Sequence, residues 1–239
     1  FTYCHSSHAF VSCRIPGARD FRVGLRMHDS TLLIMGDSRS VLQQFSMAGK
    51  SLFEARTWLL EHAEKLAGEP ARNEAIEQGR FDPHPLSEGA PYGVDLDAAF
   101  REVDHAYSNV DNALRRVLAD LAPGTAIRCW PHHADIAALV ELEGGGEEAT
   151  SIGLGLAPAD ERIQNVYERH GDAYFYAAPW PPPKSASLPE LSVGTWLTEG
   201  PLLAALPLSA VTGLVNEKTQ GEQVERFFRE AYAASESLL

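Results

Sequence analysis

Leu96, Phe100, Val103, Tyr107, Val110, Leu114, Val117 and Leu121 recur at alternating spacings of four and three. That rhythm puts all eight side chains on one stripe of an α-helix. Asp95 can cap its start, and Pro123-Gly124 stops it. Arg101, Asp104, Asn112, Arg115 and Asp120 fall on the opposite side and are expected to face solvent. Such a stripe lies across a sheet as a core element, or it forms a seam between two subunits.

The flanking segments follow the other period. Phe21, Val23 and Leu25 alternate with Arg22, Gly24 and Arg26, the pattern of a half-buried strand. Residues 9–13, the apolar run Leu32 to Met35, and Val41 to Met47 read as further strands. Ser51-Leu52-Phe53-Glu54 is a capping box, and its helix runs to about Ala67, where Gly68 and Pro70 end it. Residues 68–94 are acidic, rich in Pro and Gly and without apolar periodicity, so they read as a surface connection or a lid.

Strand-like runs return after the long helix, at 125–130, 134–142, 151–156, 173–178, 194–197 and 202–206. A last helix is expected over about 222–238, from Val224, Phe227, Phe228, Ala231 and Leu238. Strands in runs closed by helices predict an α+β fold, mostly antiparallel, packed against the long central helix and two others. The layout divides into 1–94 and 95–239, within one compact unit or as two related halves; no residue-level repeat marks a duplication.

Composition narrows the function. Hydrophobic residues make up 44% and charged residues 22%, which is globular and not disordered. The net charge of −13, with no basic stripe, argues against nucleic acid as a partner and against an anionic membrane surface. The chain also lacks an 18-residue apolar run and any segment ordered like a signal peptide, though it opens at Phe1 without Met. Three cysteines, Cys4, Cys13 and Cys129, cannot all pair, so a cytoplasmic setting is expected.

The densest polar cluster is Trp130-Pro131-His132-His133-Ala134-Asp135. On a regular strand His133 and Asp135 share a face, as a base with its orienting carboxylate or as two metal ligands. Further ligands would come from Asp160, Glu161, His170 or Asp172. A strand entry with histidines bonded to backbone explains the same residues without chemistry. Tyr174 and Tyr176 share a strand face, and Trp180 leads into a run of prolines; these rings line a pocket or close a core edge. Cys4-His5-Ser6-Ser7-His8 lacks the second paired motif a metal site needs. Gly144 to Gly146 precedes two Glu and is no phosphate loop, and Cys129 reads as a small buried hydrophobe.

Trp130 to Ala137, Ser151-Ile152-Gly153-Leu154-Gly155-Leu156-Ala157-Pro158-Ala159-Asp160-Glu161, and Tyr174-Phe175-Tyr176 with Pro179-Trp180-Pro181 carry a resemblance. In this order they resemble an uncharacterised bacterial family grouped under a domain of unknown function. The likeness covers about 125–206. It implies that the three motifs share one domain and meet in space, and it supplies no catalytic residues. The expectation is a small-molecule-binding protein or enzyme. His133 and Asp135 would do the chemistry, and His132, Asp160, Glu161, Tyr174, Tyr176 and Trp180 would bind the ligand. Metal, cofactor and reaction stay open. The alternative is a non-catalytic interaction protein that forms a homodimer through the helix seam.

Overall fold

The computed structural model describes residues 1–70, 84–95, 97–130, 134–142, 149–158, 172–183 and 187–239. Contacts divide the chain into two compact units, Phe1–Ala106 and Tyr107–Leu239. Each holds one antiparallel sheet, so the fold is α+β as the periodicities predict.

In the first unit β1 (Thr2–Cys4), β2 (Ala9–Val11), β3 (Phe21–Arg26), β4 (Thr31–Gly36) and β5 (Val41–Ser46) pair in chain order. Phe21, Leu33, Ile34 and Met35 are fully buried on β3 and β4. Helix α1 (Leu52–Ala67) packs on β4. Its capping box forms as expected: the Glu54 amide donates to Ser51 Oγ, and the Ser51 amide donates to the Glu54 carboxylate. Its other end is closed by a loop. The amides of Ala18 and Arg19 donate to the carbonyls of Ala67 and Leu66, which the helix leaves unpaired. Gly17 allows this approach, because a Cβ there would stand 2.7 Å from the Ala67 Cα. Residues 71–83 of the 68–94 connection lie outside the described residues. Its far end forms a 3-10 turn at Pro85–Glu88 and bridges from Pro91 and Tyr92 to Ser51 and Ala48.

Helix α2 (Asp97–Leu121) carries the apolar stripe. Val110, Leu114 and Val117 are buried within the single chain, while Val103 is exposed. The solvent-side assignment holds for Arg101, Asn112, Arg115 and Asp120 and fails for Asp104. Asp104 is 2% exposed, because polar partners from β1 and nearby turns meet it there.

In the second unit β6 (Ile127–Trp130), β7 (Asp135–Glu141), β8 (Ser151–Ala157) and β9 (Tyr174–Trp180) form a meander. β11 (Leu203–Pro207) joins beside β9, and β10 (Thr195–Leu197) takes the edge. The strand-and-helix layout of the first unit recurs, while the strand order does not. A short helix α3 (Leu208–Thr212) precedes α4 (Glu217–Glu236), which packs on β8 and β9. Phe227 and Phe228 of α4 are fully buried, with Phe228 edge-on to Phe175 of β9. Ion pairs Arg116–Glu225 and Arg229–Asp120 join α2 to α4.

Candidate functional site

One face of the second sheet backs onto α4; the other carries the candidate chemistry. Side chains alternate across a strand. Asp135, Ala137 and Leu139 of β7 therefore share that second face with Gly153, Gly155 and Ala157 of β8, and with Tyr174, Tyr176, Ala178 and Trp180 of β9. Register aligns Ala137, Gly155 and Tyr176 in one row and Leu139, Gly153 and Ala178 in the next. The middle strand thus presents glycine beside an aromatic ring. Gly155 has no room for a side chain: a Cβ would stand 2.5 Å from the Ile136 carbonyl and 2.7 Å from the Ala137 Cβ. At Gly153 a Cβ would meet the Tyr176 ring at 3.6 Å and the Ala178 carbonyl at 3.9 Å, both ordinary contacts.

This low strip lets Tyr176 reach across β8. Its hydroxyl donates to Asp135 Oδ2 at 2.6 Å. The other oxygen, Asp135 Oδ1, is buried and has no hydrogen-bond partner among the described residues. A buried carboxylate oxygen left so is costly, and it marks a place where a donor belongs. Burial holds the Tyr176 phenol well above the ordinary value of 10.0, and the Asp135 charge with its hydrogen bond adds to this. The phenol therefore stays a donor throughout the physiological range. Tyr107 of α2 donates to the Ala134 carbonyl beside Asp135, and its phenol is raised by burial and then by the charges of Cys129 and Asp135. Burial with the same Asp135 charge pushes the Cys129 thiol up to about 11, so Cys129 is inert at neutral pH, as the sequence suggests.

The remaining candidates separate. Tyr174 is sealed with Leu197, Leu203 and Ala205 in a small core, so it packs where a binding wall was expected. Trp180 is 59% exposed, and Trp130 pairs with Asp135 across the β6–β7 ladder. His132, His133, Asp160, Glu161 and His170 lie outside the described residues, as does the Gly144–Gly146 loop. β7 begins at Asp135, and Ala134 before it is left-handed at φ 55°. Asp172 takes hydrogen bonds from the Ser209 amide and hydroxyl at the start of α3, so it serves that turn. Among the described residues no three His, Cys, Asp or Glu side chains gather as a metal site. An open groove at the end of α1, lined by Glu61, Glu64, Lys65, Gly68, Glu69 and Pro70, brings none of the candidates together.

A second cluster, in the first unit, joins His8 of the Cys4–His8 segment to Asp104, a meeting that spacing along the chain did not predict. The Tyr3 hydroxyl donates to Asp104 Oδ1 at 2.6 Å, and His8 Nδ1 lies 3.0 Å from Asp104 Oδ2. His28 Nδ1 stands 3.8 Å from the same oxygen. Tyr3 and His8 lie 101 and 96 positions from Asp104, so spacing gave no signal.

Among the described residues no helix is long and apolar enough to cross a membrane. Comparison with family models, with curated proteins and with solved structures finds no match to the chain.

Proposed function

We propose that the chain binds a small organic molecule on the open face of the second sheet, with Asp135 as the recognition group. The observation that carries this is the pair of unequal oxygens on Asp135: Oδ2 is fixed by Tyr176, while Oδ1 is buried without a donor. An ionised carboxylate only accepts, so the ligand that completes it carries an N–H or O–H group. The apolar surface beside it is the Tyr176 ring; Leu139 and Trp180 are exposed on the same face but lie towards the other end of the strands. A protonated amine on an aryl or alkyl body meets both demands.

In this reading Asp135 and Tyr176 are the binding pair, and Trp180, beside Ser151 at the far end of β9, stands apart from them. His132, His133, Asp160 and Glu161 belong to the same site on the strength of the motif order alone, with His133 the base if the ligand is turned over. The resemblance to a bacterial domain of unknown function rests on the same three motifs. Supporting it, the strands β6 to β9 that carry them are neighbours in one sheet. The acidic balance and three free thiols favour a reducing cytoplasm and a partner other than nucleic acid. The rival reading, a dimer through the helix seam, has less to offer a second subunit, since the middle of the stripe is buried in one chain.

The test is a titration with 2-phenylethylamine, followed by tryptophan fluorescence. The parent is expected to give a saturable change. Asp135→Asn should bind at least about tenfold more weakly, as loss of a charge-assisted hydrogen bond requires. Identical curves for parent and Asp135→Asn would overturn the assignment.

A further inference from the structure

We propose that His8 and Asp104 form a second reactive site in the first unit, a general-base dyad that hydrolyses small carboxylic esters. It is independent of the Asp135 site. Asp104 is almost wholly buried, yet the His8 side chain is 52% exposed. The carboxylate is held from its other oxygen by the Tyr3 hydroxyl. A carboxylate can only accept, so the His8 nitrogen facing it, Nδ1, carries the ring proton. That leaves Nε2 as a proton acceptor on the far side of an exposed ring. A buried orienting carboxylate, a fixed tautomer and an outward basic nitrogen are the parts a histidine base requires.

The surroundings hold this arrangement in place. The His28 ring stands edge-on to His8, with centroids 5.9 Å apart. His28 lies 3.8 Å from both Asp104 and Asp29, while Arg26 occupies Asp29 with a forked contact. His5 packs edge-on against the Tyr3 ring. Both segments that present an imidazole also carry a left-handed residue that is not glycine: His8 itself at φ 49° and Ser30, two residues after His28, at φ 50°. Backbone in this region is retained where surrounding structure enforces it, and such positions collect at functional sites.

The groups gathered here supply proton transfer and nothing else, and with water alone they balance a hydrolysis. His8 Nε2 takes a proton from water as the water oxygen bonds to the ester carbonyl carbon. The bond from that carbon to the alkoxy oxygen then breaks, and the departing oxygen takes the proton back from His8. Ester and water become acid and alcohol, and His8 returns to its starting state. His8 is the catalytic residue, and Asp104 is a positioning residue.

The experiment uses the full chain and phenyl acetate as the probe. His8→Gln keeps an amide donor near Asp104 and should fold, and kcat/KM should fall by about 100-fold. Asp104→Asn should lower kcat with KM unchanged. Nitrogen-15 spectra should place the His8 ring proton on Nδ1 in the parent and divide it between both nitrogens in Asp104→Asn. Should Asp104→Asn not fold, His8→Gln and the parent tautomer decide. A parent no faster than His8→Gln, or a His8 proton on Nε2, would overturn the proposal.

Discussion

Tyr176 and Asp135 stand on strands separated by a third, and the hydroxyl of one still reaches the carboxylate of the other at 2.6 Å. The intervening strand makes this possible by offering Gly155 opposite Tyr176. A tyrosine can lie along a sheet face only where the neighbour has no side chain to lift it. The glycines of the Ser151–Leu156 run thus acquire a role in the contact between β7 and β9.

The two glycines should therefore respond differently to the same methyl group. Gly155→Ala drives a Cβ into the backbone and side chain of β7 and is expected to cost about 1–3 kcal/mol. Gly153→Ala places its Cβ at an ordinary contact distance and should change stability by no more than about 0.5 kcal/mol. Urea denaturation of both variants, compared with the parent, checks the contrast. Equal effects would show that β8 does not sit between Ala137 and Tyr176 as described.

Alkaline pH should unfold the second unit earlier than its ordinary tyrosines require. The Tyr176 phenol is raised by burial first, then by Asp135, and Tyr107 is raised by burial with help from Cys129 and Asp135. In the unfolded chain both return to the ordinary value of 10.0. Above that pH the unfolded state releases protons that the folded state keeps, so stability falls as pH rises. The contribution is whole below 10.0 and is lost towards the raised folded value. Phenolate absorbance should show two tyrosines that ionise only with unfolding, and Tyr176→Phe should flatten the alkaline loss of stability.

Thiol labelling should separate the three cysteines. Cys13 is exposed and should react first with a disulfide reagent at pH 8. Cys129 should be the slowest, because its thiol sits at about 11 and little thiolate exists at that pH. Cys4 behaves differently again. Burial opposes its ionisation, but hydrogen bonds from Ser6, Ser7 and Arg39 outweigh this and lower the thiol to about 7. It has thiolate in abundance and little access, so its labelling should accelerate on mild denaturation. Peptide mapping of timed samples gives the order.

Val110→Asp should be severely destabilising. Val110 is 2% exposed at the middle of the α2 stripe, and a carboxylate there has no solvent. A loss of about 3–5 kcal/mol is expected, at the upper end for single substitutions. Arg101→Ala on the exposed side of the same helix should be nearly neutral. Denaturation midpoints of the two variants test whether the stripe faces the core.

Much of the fold was legible because its signals are local. Alternation in Phe21–Arg26, the capping box at Ser51 and the four-three rhythm of α2 each depend on a few neighbouring residues. Those periods also placed the strands at 127–130, 135–141, 151–157 and 174–180 to within a few residues. The short helix Leu208–Thr212 was not legible, since five residues contain too little of a helical period.

The chemistry was legible only in part. Asp135, Tyr176 and Trp180 stood out as polar or aromatic residues that a bare sheet does not demand, and the first two do meet. The expected pairing of His133 with Asp135 lies outside the described residues; Ala134, between them, is left-handed. Tyr174 and Tyr176 looked alike, yet one closes a core and the other reaches a carboxylate.

By itself, then, the sequence determined the elements, their order and the α+β class, because hydrophobic period is written residue by residue. Only the tertiary structure decided which polar groups are buried. Asp104 reads as a solvent-facing helix residue until Tyr3, His8 and His28 arrive from far along the chain. A carboxylate can leave water only where donors converge on it, and that convergence comes from strand pairing across long separations, which no local pattern records.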